Sequence, residues 1–83
     1  MKDINWDIVL SNIAEARHEL ESMESIIKKK TFSEGELQVG LQHAYHHLNF
    51  AWNVRHVSTR RYAHLSDAEF RKWGKYPREI DKL

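Results

Sequence analysis

Apolar residues recur every three or four positions through the first third of the chain. The repeat comprises Trp6, Val9, Ile13, Ala16, Leu20, Met23 and Ile27. Alternating steps of three and four are the heptad pattern of a helix with one apolar face. Asn5 is a favourable N-cap residue just before this repeat. The pattern therefore predicts a first helix over about residues 5–30.

A second helix is predicted over about residues 34–64. Ser33 and Glu36 match the S-x-x-E capping box, in which two side chains satisfy backbone N–H groups at a helix start. Only about four residues separate the two predicted helices, and so short a connection favours an antiparallel hairpin.

The second helix carries two neighbouring apolar stripes and one polar stripe. The first apolar stripe, expected to pack on the first helix, comprises Leu37, Leu41, Ala44, Leu48 and Ala51 and continues through Arg55 and Ser58. The second apolar stripe comprises Gly40, His43, His47, Phe50, Val54 and Val57. The polar stripe is expected to face water and comprises Gln42, His46, Asn49, Asn53, His56 and Arg60. A helix with a single partner needs only one apolar stripe, so the second stripe requires another cover.

A short third helix is predicted over about residues 67–73. Ser66 and Glu69 repeat the capping box, and Gly74 is expected to end the helix in a left-handed conformation. The tail, residues 74–83, is expected to be extended, since Pro77 restricts the residue before it. Its large apolar side chains are suited to cover the second apolar stripe, either on their own chain or on another copy.

Together these elements predict an all-α fold: a long antiparallel two-helix hairpin, a short C-terminal helix and an extended tail. The 83 residues suffice for one domain, so residues 1–83 are treated as a single helical-hairpin domain. Because such a hairpin has a thin core, we expect two copies to pair into a dimeric four-helix bundle. The predicted dimer interface consists of His43, His47, Phe50, Val54 and Val57.

Composition narrows the possible chemistry. The chain contains no cysteine, which excludes disulfides, thiolate metal sites and cysteine nucleophiles. Its apolar runs are too short to span a membrane and it shows no secretory signal, so we expect a cytoplasmic protein with no membrane partner. The sequence also lacks the G-x-G-x-x-G and G-x-S-x-G motifs. We therefore expect no cofactor, and enzyme activity is disfavoured.

The principal functional hypothesis is a small interaction or assembly module whose partner is a second copy of itself or another protein. One alternative is a nucleic-acid-binding or regulatory protein, because cations interleaved with aromatic residues suit phosphates and bases. These cations are Arg55, Arg60, Arg61, Lys72 and Lys75. A second alternative is a metal-binding bundle. His43 and His47 are one helical turn apart, which is the spacing at which two imidazoles can hold one metal ion.

Overall fold

The structure is a computed structural model that describes residues 3–82. Within those residues every regular element is helical, and the two long helices pack as an antiparallel hairpin. The elements are α1 (Trp6–Lys28), α2 (Glu34–Asn53), α3 (Thr59–Tyr62), α4 (Asp67–Trp73) and a 3₁₀ helix (Arg78–Lys82). The all-α hairpin predicted from the sequence is thereby confirmed.

The predicted helix starts are those of the structure. The Asn5 side chain accepts a hydrogen bond from the backbone of Ile8, which caps α1. Both capping boxes are complete, at Ser33 before α2 and at Ser66 before α4. The first helix ends at Lys28, shortly before the predicted residue 30, because Lys30 takes a left-handed backbone conformation in the turn.

The contact between α1 and α2 is made by small residues. Ala16 and Ala44 are buried there, and a Cβ atom on Gly40 would overlap the Met23 side chain. Because these positions allow a close approach, the larger Leu48 is displaced to the side of the contact and stays about half exposed. The first apolar stripe therefore packs on α1 only in part.

The second long helix is shorter than predicted, since α2 ends at Asn53 rather than near residue 64. The start of α1 holds the chain beyond this end. The Asn5 backbone N–H donates to the Arg55 carbonyl at 2.6 Å, and the Asn5 side chain donates to the Val57 carbonyl at 3.0 Å. Ser58 then caps the separate helix α3 through the backbone N–H of Arg61. The carbonyls of Arg55 and Val57 are therefore not available for the hydrogen bonds that would continue α2 as a helix.

Residues 54–82, called here the C-terminal segment, fold back on their own chain. A core of Ile8, Phe50 and Val54 joins the start of α1 to the end of α2. Side chains of the C-terminal segment pack against this core, namely Val57, Tyr62, Leu65 and Trp73. The second apolar stripe is therefore covered at this end by the chain itself.

The polar stripe was expected to face water, and that expectation is wrong at His46, which packs against Phe50 and Phe70, and at two asparagines. The Asn49 side chain donates to the Gly74 carbonyl at 2.8 Å. The Asn53 side chain donates to the carbonyls of Trp73 at 2.7 Å and Lys75 at 2.9 Å. These two asparagines hold the C-terminal segment against their own side of α2, which we call its back.

The end of the chain also differs from expectation. Gly74 has φ −80°, not a left-handed value, and the lack of a side chain there instead makes room for the His46 ring. Residues 78–82 form the 3₁₀ helix rather than an extended tail, and residue 83 lies outside the described residues. The Glu79 carboxylate accepts a hydrogen bond from the Trp52 indole at 3.3 Å, which ties this last turn to α2.

Among the helices of residues 3–82, none combines the length and the apolar character needed to cross a membrane.

Candidate functional sites: a histidine network and an open face

His43 and His47 face each other on α2. Their Nε2 atoms are 3.1 Å apart and their ring centroids 4.8 Å apart. The structure therefore places close together the two histidines whose spacing in the sequence suggested a metal site. His46 turns elsewhere and packs edge-on against Phe50, with ring centroids 4.3 Å apart, and against Phe70 at 4.5 Å.

The outer nitrogen of each ring is held by a residue of α1. His43 Nδ1 donates to the Glu19 carboxylate at 3.0 Å. His47 Nδ1 donates to the amide oxygen of Asn12 at 2.9 Å. We call the set of Asn12, Glu19, His43, His47 and Tyr62 the histidine network. It links α1, α2 and α3 through polar side chains.

The orientation of Asn12 determines which nitrogen of His47 carries the proton. Asn12 is 2% exposed, and its amide nitrogen donates to the Ile8 carbonyl at 3.0 Å and lies 3.3 Å from the Tyr62 hydroxyl. A backbone carbonyl only accepts hydrogen bonds, so the other end of the amide, facing His47, is the oxygen. His47 must donate to it from Nδ1. The carboxylate of Glu19 imposes the same tautomer on His43.

In the neutral form of both rings, each Nε2 consequently carries a lone pair, and the two Nε2 atoms lie 3.1 Å apart. Two facing lone pairs repel unless a proton or a cation lies between them. Burial lowers the pKa of His47, and the neighbouring His43 lowers it further, against the opposing charges of Glu15 and Glu19. Burial also lowers the pKa of His46, with His47 and His43 acting in the same direction.

The network contains two facing imidazoles rather than a larger ligand set. In the part of the chain that the structure describes, no group of three or more histidine, aspartate or glutamate side chains is arranged to hold a metal ion. The His43 side chain is about half exposed, and it borders a surface hollow shared with Gln42, His46 and Phe70. Water or a small ligand can therefore reach His43.

Sequence reasoning found the two histidines but missed Asn12, Glu19 and Tyr62. The signal for Glu19 was present, because Glu19 and His43 each lie twelve residues from Thr31 in the turn of an antiparallel hairpin. Asn12 and Glu19 also fall on the same face of α1 as Ile8, Ala16 and Met23, where a polar residue needs a hydrogen-bond partner. Tyr62 carried no comparable signal, since its approach depends on where α2 ends.

The residues predicted to form the dimer interface make their contacts within one subunit. Phe50 and Val54 are 2% and 0% exposed, buried by their own chain, so they offer no surface to a second copy. Val57 is half-buried against the same core. His43 and His47 are engaged in the histidine network. Dimerisation itself stays a prediction, and a different surface of the subunit is available for it.

That surface is a row of apolar side chains along one side of the hairpin, which we call the open face. Its members are between 37% and 67% exposed: Trp6, Ile13, Leu20 and Ile27 on α1, and Leu37, Leu41 and Leu48 on α2. The four members on α1 are spaced seven residues apart. Ile13, Leu20 and Leu48 line one shallow groove between the helices, so the row is shared by α1 and α2.

The predicted nucleic-acid residues are dispersed, and two of them are engaged within the chain. The Arg55 guanidinium lies 3.8 Å from the centre of the Trp52 ring and donates to the Trp52 carbonyl. Arg61 is paired with Glu69. Arg60 lies beside Arg61 at a shallow hollow, whereas Lys72 and Lys75 border another one near Pro77. The two cation pairs thus lie at separate places on the surface.

Comparisons of the chain with models of protein families, with curated proteins and with solved structures give no match.

Proposed function

We propose that this protein is a cytoplasmic assembly module that forms a homodimer through its open face. Two hairpins packed face to face form a four-helix bundle, with the two C-terminal segments on the outside. The observation that carries this proposal is the continuous row of large apolar side chains that remains exposed after the C-terminal segment has folded back.

The size of the open face suits a partner. Its seven large apolar members are each between 37% and 67% exposed, and exposed apolar patches of several side chains mark interaction surfaces. Burying this surface would contribute a free energy of about 25 cal/mol for each Å² removed from water. A thin two-helix core has little stability in reserve, so burial of the open face has a large relative effect.

The spacing and charges of the open face favour a second copy as that partner. Residues seven apart, such as Ile13 and Leu20, form the seam by which helices pack on helices in bundles. The groove beside them is edged by Arg17, Glu21 and Glu24. A patch that carries both signs of charge can complement itself across a two-fold axis, as an interface between identical subunits requires.

The experiment compares a charge introduced in the open face with the same charge introduced elsewhere on α1. Light scattering coupled to size exclusion should give about 20 kDa for the wild type, twice the 9.9 kDa chain. Leu20→Glu should give the mass of one chain, because the dimer would have to bury an unpaired carboxylate. Leu20 is about half exposed within the subunit, so the variant should keep its helical circular dichroism.

Ser25→Glu is the matched control, since Ser25 is an exposed residue of α1 outside the open face. It should leave the dimer mass unchanged. A wild-type mass of one chain at high micromolar concentration would refute the proposal. So would equal behaviour of the Leu20→Glu and Ser25→Glu variants.

A further inference from the structure

We propose that His43 and His47 bind a divalent late first-row transition-metal ion, of the Zn²⁺, Ni²⁺ and Cu²⁺ class, through their facing Nε2 atoms. Imidazole nitrogen is a preferred ligand of these ions. The proposal is independent of the homodimer, because the pair lies on a different side of α2 from Leu41 and Leu48.

The separation of the two nitrogens fits one shared ion. With metal–nitrogen bonds of about 2.0–2.1 Å, two ligand nitrogens lie about 2.9 Å apart at a right angle and about 3.4 Å apart at a tetrahedral angle. The observed 3.1 Å between the Nε2 atoms of His43 and His47 falls between these values. An ion can therefore enter without a change in the backbone of α2.

The surroundings of the two rings match those of metal-ligating histidines. Such histidines commonly donate their second N–H to a carboxylate or a carbonyl oxygen, which fixes the tautomer and the ring orientation. His43 donates in this way to Glu19, and His47 to Asn12. Asn12 is itself fixed by Ile8 and Tyr62. Each ring thus keeps its lone pair on Nε2, the atom that would bind the ion, and Glu19 holds the opposite nitrogen of His43.

The remaining coordination positions belong to solvent. His43 is about half exposed, and the hollow beside it is open to water or to a small anionic ligand. Two protein ligands make a weaker site than the three or four of dedicated zinc centres. The competing occupant of the gap is a proton shared between the two Nε2 atoms, which a metal ion must displace in order to bind.

The first experiment uses the intact wild-type protein after removal of metal with a chelator. Zn²⁺ is titrated while imidazole resonances are followed by NMR, and Ni²⁺ is used in a parallel series. The resonances of His43 and His47 should shift with Zn²⁺ and broaden with Ni²⁺ at one equivalent. Those of the exposed His18 and His64 should stay unchanged. Equal effects on all six histidines, or no effect on His43 and His47, would overturn the proposal.

Calorimetric titration with Zn²⁺ then tests the ligands one at a time. His43→Ala and His47→Ala should each lose at least tenfold in affinity, whereas His18→Ala should bind as the wild type does. Glu19→Gln keeps a hydrogen-bond acceptor for His43 but removes the charge, and it should weaken binding about tenfold, as losses of outer hydrogen-bond partners do. Unchanged affinity in a folded His47→Ala variant would contradict the assignment. Binding that persists in Leu20→Glu would separate this site from the proposed dimer.

Discussion

Two sides of α2 differ in how far the rest of the chain covers them. Across its back, the C-terminal segment is held by directional hydrogen bonds from Asn49 and Asn53 and by aromatic packing around Phe50. On the side of the open face, Leu41 and Leu48 pack on α1 only in part and stay 37% and 47% exposed. Within one subunit, Phe50 and Val54 of the second apolar stripe are therefore buried, whereas part of the first stripe stays exposed.

This difference assigns separate roles to the two surfaces. Contacts of the back are formed within one subunit, so their loss should destabilise the protein at any concentration. Contacts of the open face, on our account, are formed between subunits, so their loss should matter only where the dimer is populated.

The largest effect is expected at the aromatic core. Phe50 is 2% exposed and lies against His46, Phe70 and Tyr62. Phe50→Ala should lower the free energy of unfolding by about 3–5 kcal/mol, since it leaves a cavity in a small core. Urea denaturation at several protein concentrations measures this loss, which should not depend on concentration.

Leu48→Ala is the comparison for Phe50→Ala. Its loss should be about 1 kcal/mol or less in dilute protein and should grow with concentration as the dimer forms. A Leu48→Ala loss that is constant across concentrations would contradict the separate roles of the two surfaces.

The next effect tests the close approach of α1 and α2. A Cβ atom on Gly40 would overlap Met23, whereas a Cβ atom on Gly35 would meet only the Ser33 side chain at 3.9 Å. Gly40→Ala should therefore destabilise the hairpin by about 1–3 kcal/mol, the usual range for overpacking. Gly35→Ala should instead stabilise it by about 0.5–1 kcal/mol, as alanine favours the helix. Thermal unfolding of both variants checks the opposite signs.

A smaller effect is expected at the hydrogen bonds that fasten the C-terminal segment. Asn53→Ala removes the donor to two backbone carbonyls and should lose about 1–2 kcal/mol. Hydrogen exchange should accelerate in α3 and α4 while α1 stays protected. Gln42→Ala, at an exposed position of the same stripe, is the control. Equal exchange in the two variants would show that Asn53 does not hold the segment.

The smallest effect concerns pH. The Ser66 backbone hydrogen bond lowers the pKa of Glu69 below its usual value of 4.5, partly opposed by desolvation and aided by the Ser66 side chain and Arg61. The ionised carboxylate therefore contributes stability that is complete above pH 4.5 and is lost as the pH falls through the lower pKa of the folded state.

Acidification should accordingly loosen α4 in the wild type, as seen in the amide chemical shifts of residues 67–73. Glu69→Gln should reduce this pH dependence, and Glu24→Gln, at an exposed site of α1, should not. An unaltered acid transition in Glu69→Gln would show that the capping box does not contribute to it.

The sequence predicted the features that depend on neighbouring residues. The caps at Asn5, Ser33 and Ser66 act within three residues of themselves, so the sequence pattern specifies them directly. The short turn also made the antiparallel hairpin predictable. These local rules, together with the apolar periodicity, were sufficient for the all-α architecture.

Features that depend on distant residues were not predictable in the same way. The end of α2 at Asn53 is set by Asn5, which is more than fifty residues from Val57 in sequence. The two long helices meet at Ala16 and Gly40 because small residues there allow a close approach. This depends on the side-chain sizes of both helices, whereas the apolar pattern was analysed one helix at a time. In the histidine network, the pair on α2 was evident from spacing, but its partners required the register of the two helices.

The central claim is that the open face, and not the second apolar stripe, packs against a second copy. The direct measurement is a search for NOEs between subunits in a mixture of isotope-labelled and unlabelled protein. The account predicts NOEs between subunits at the methyl groups of Ile13, Leu20 and Leu48 and none at Val54. Their absence at high micromolar concentration, or their confinement to Val54 and Val57, would contradict it.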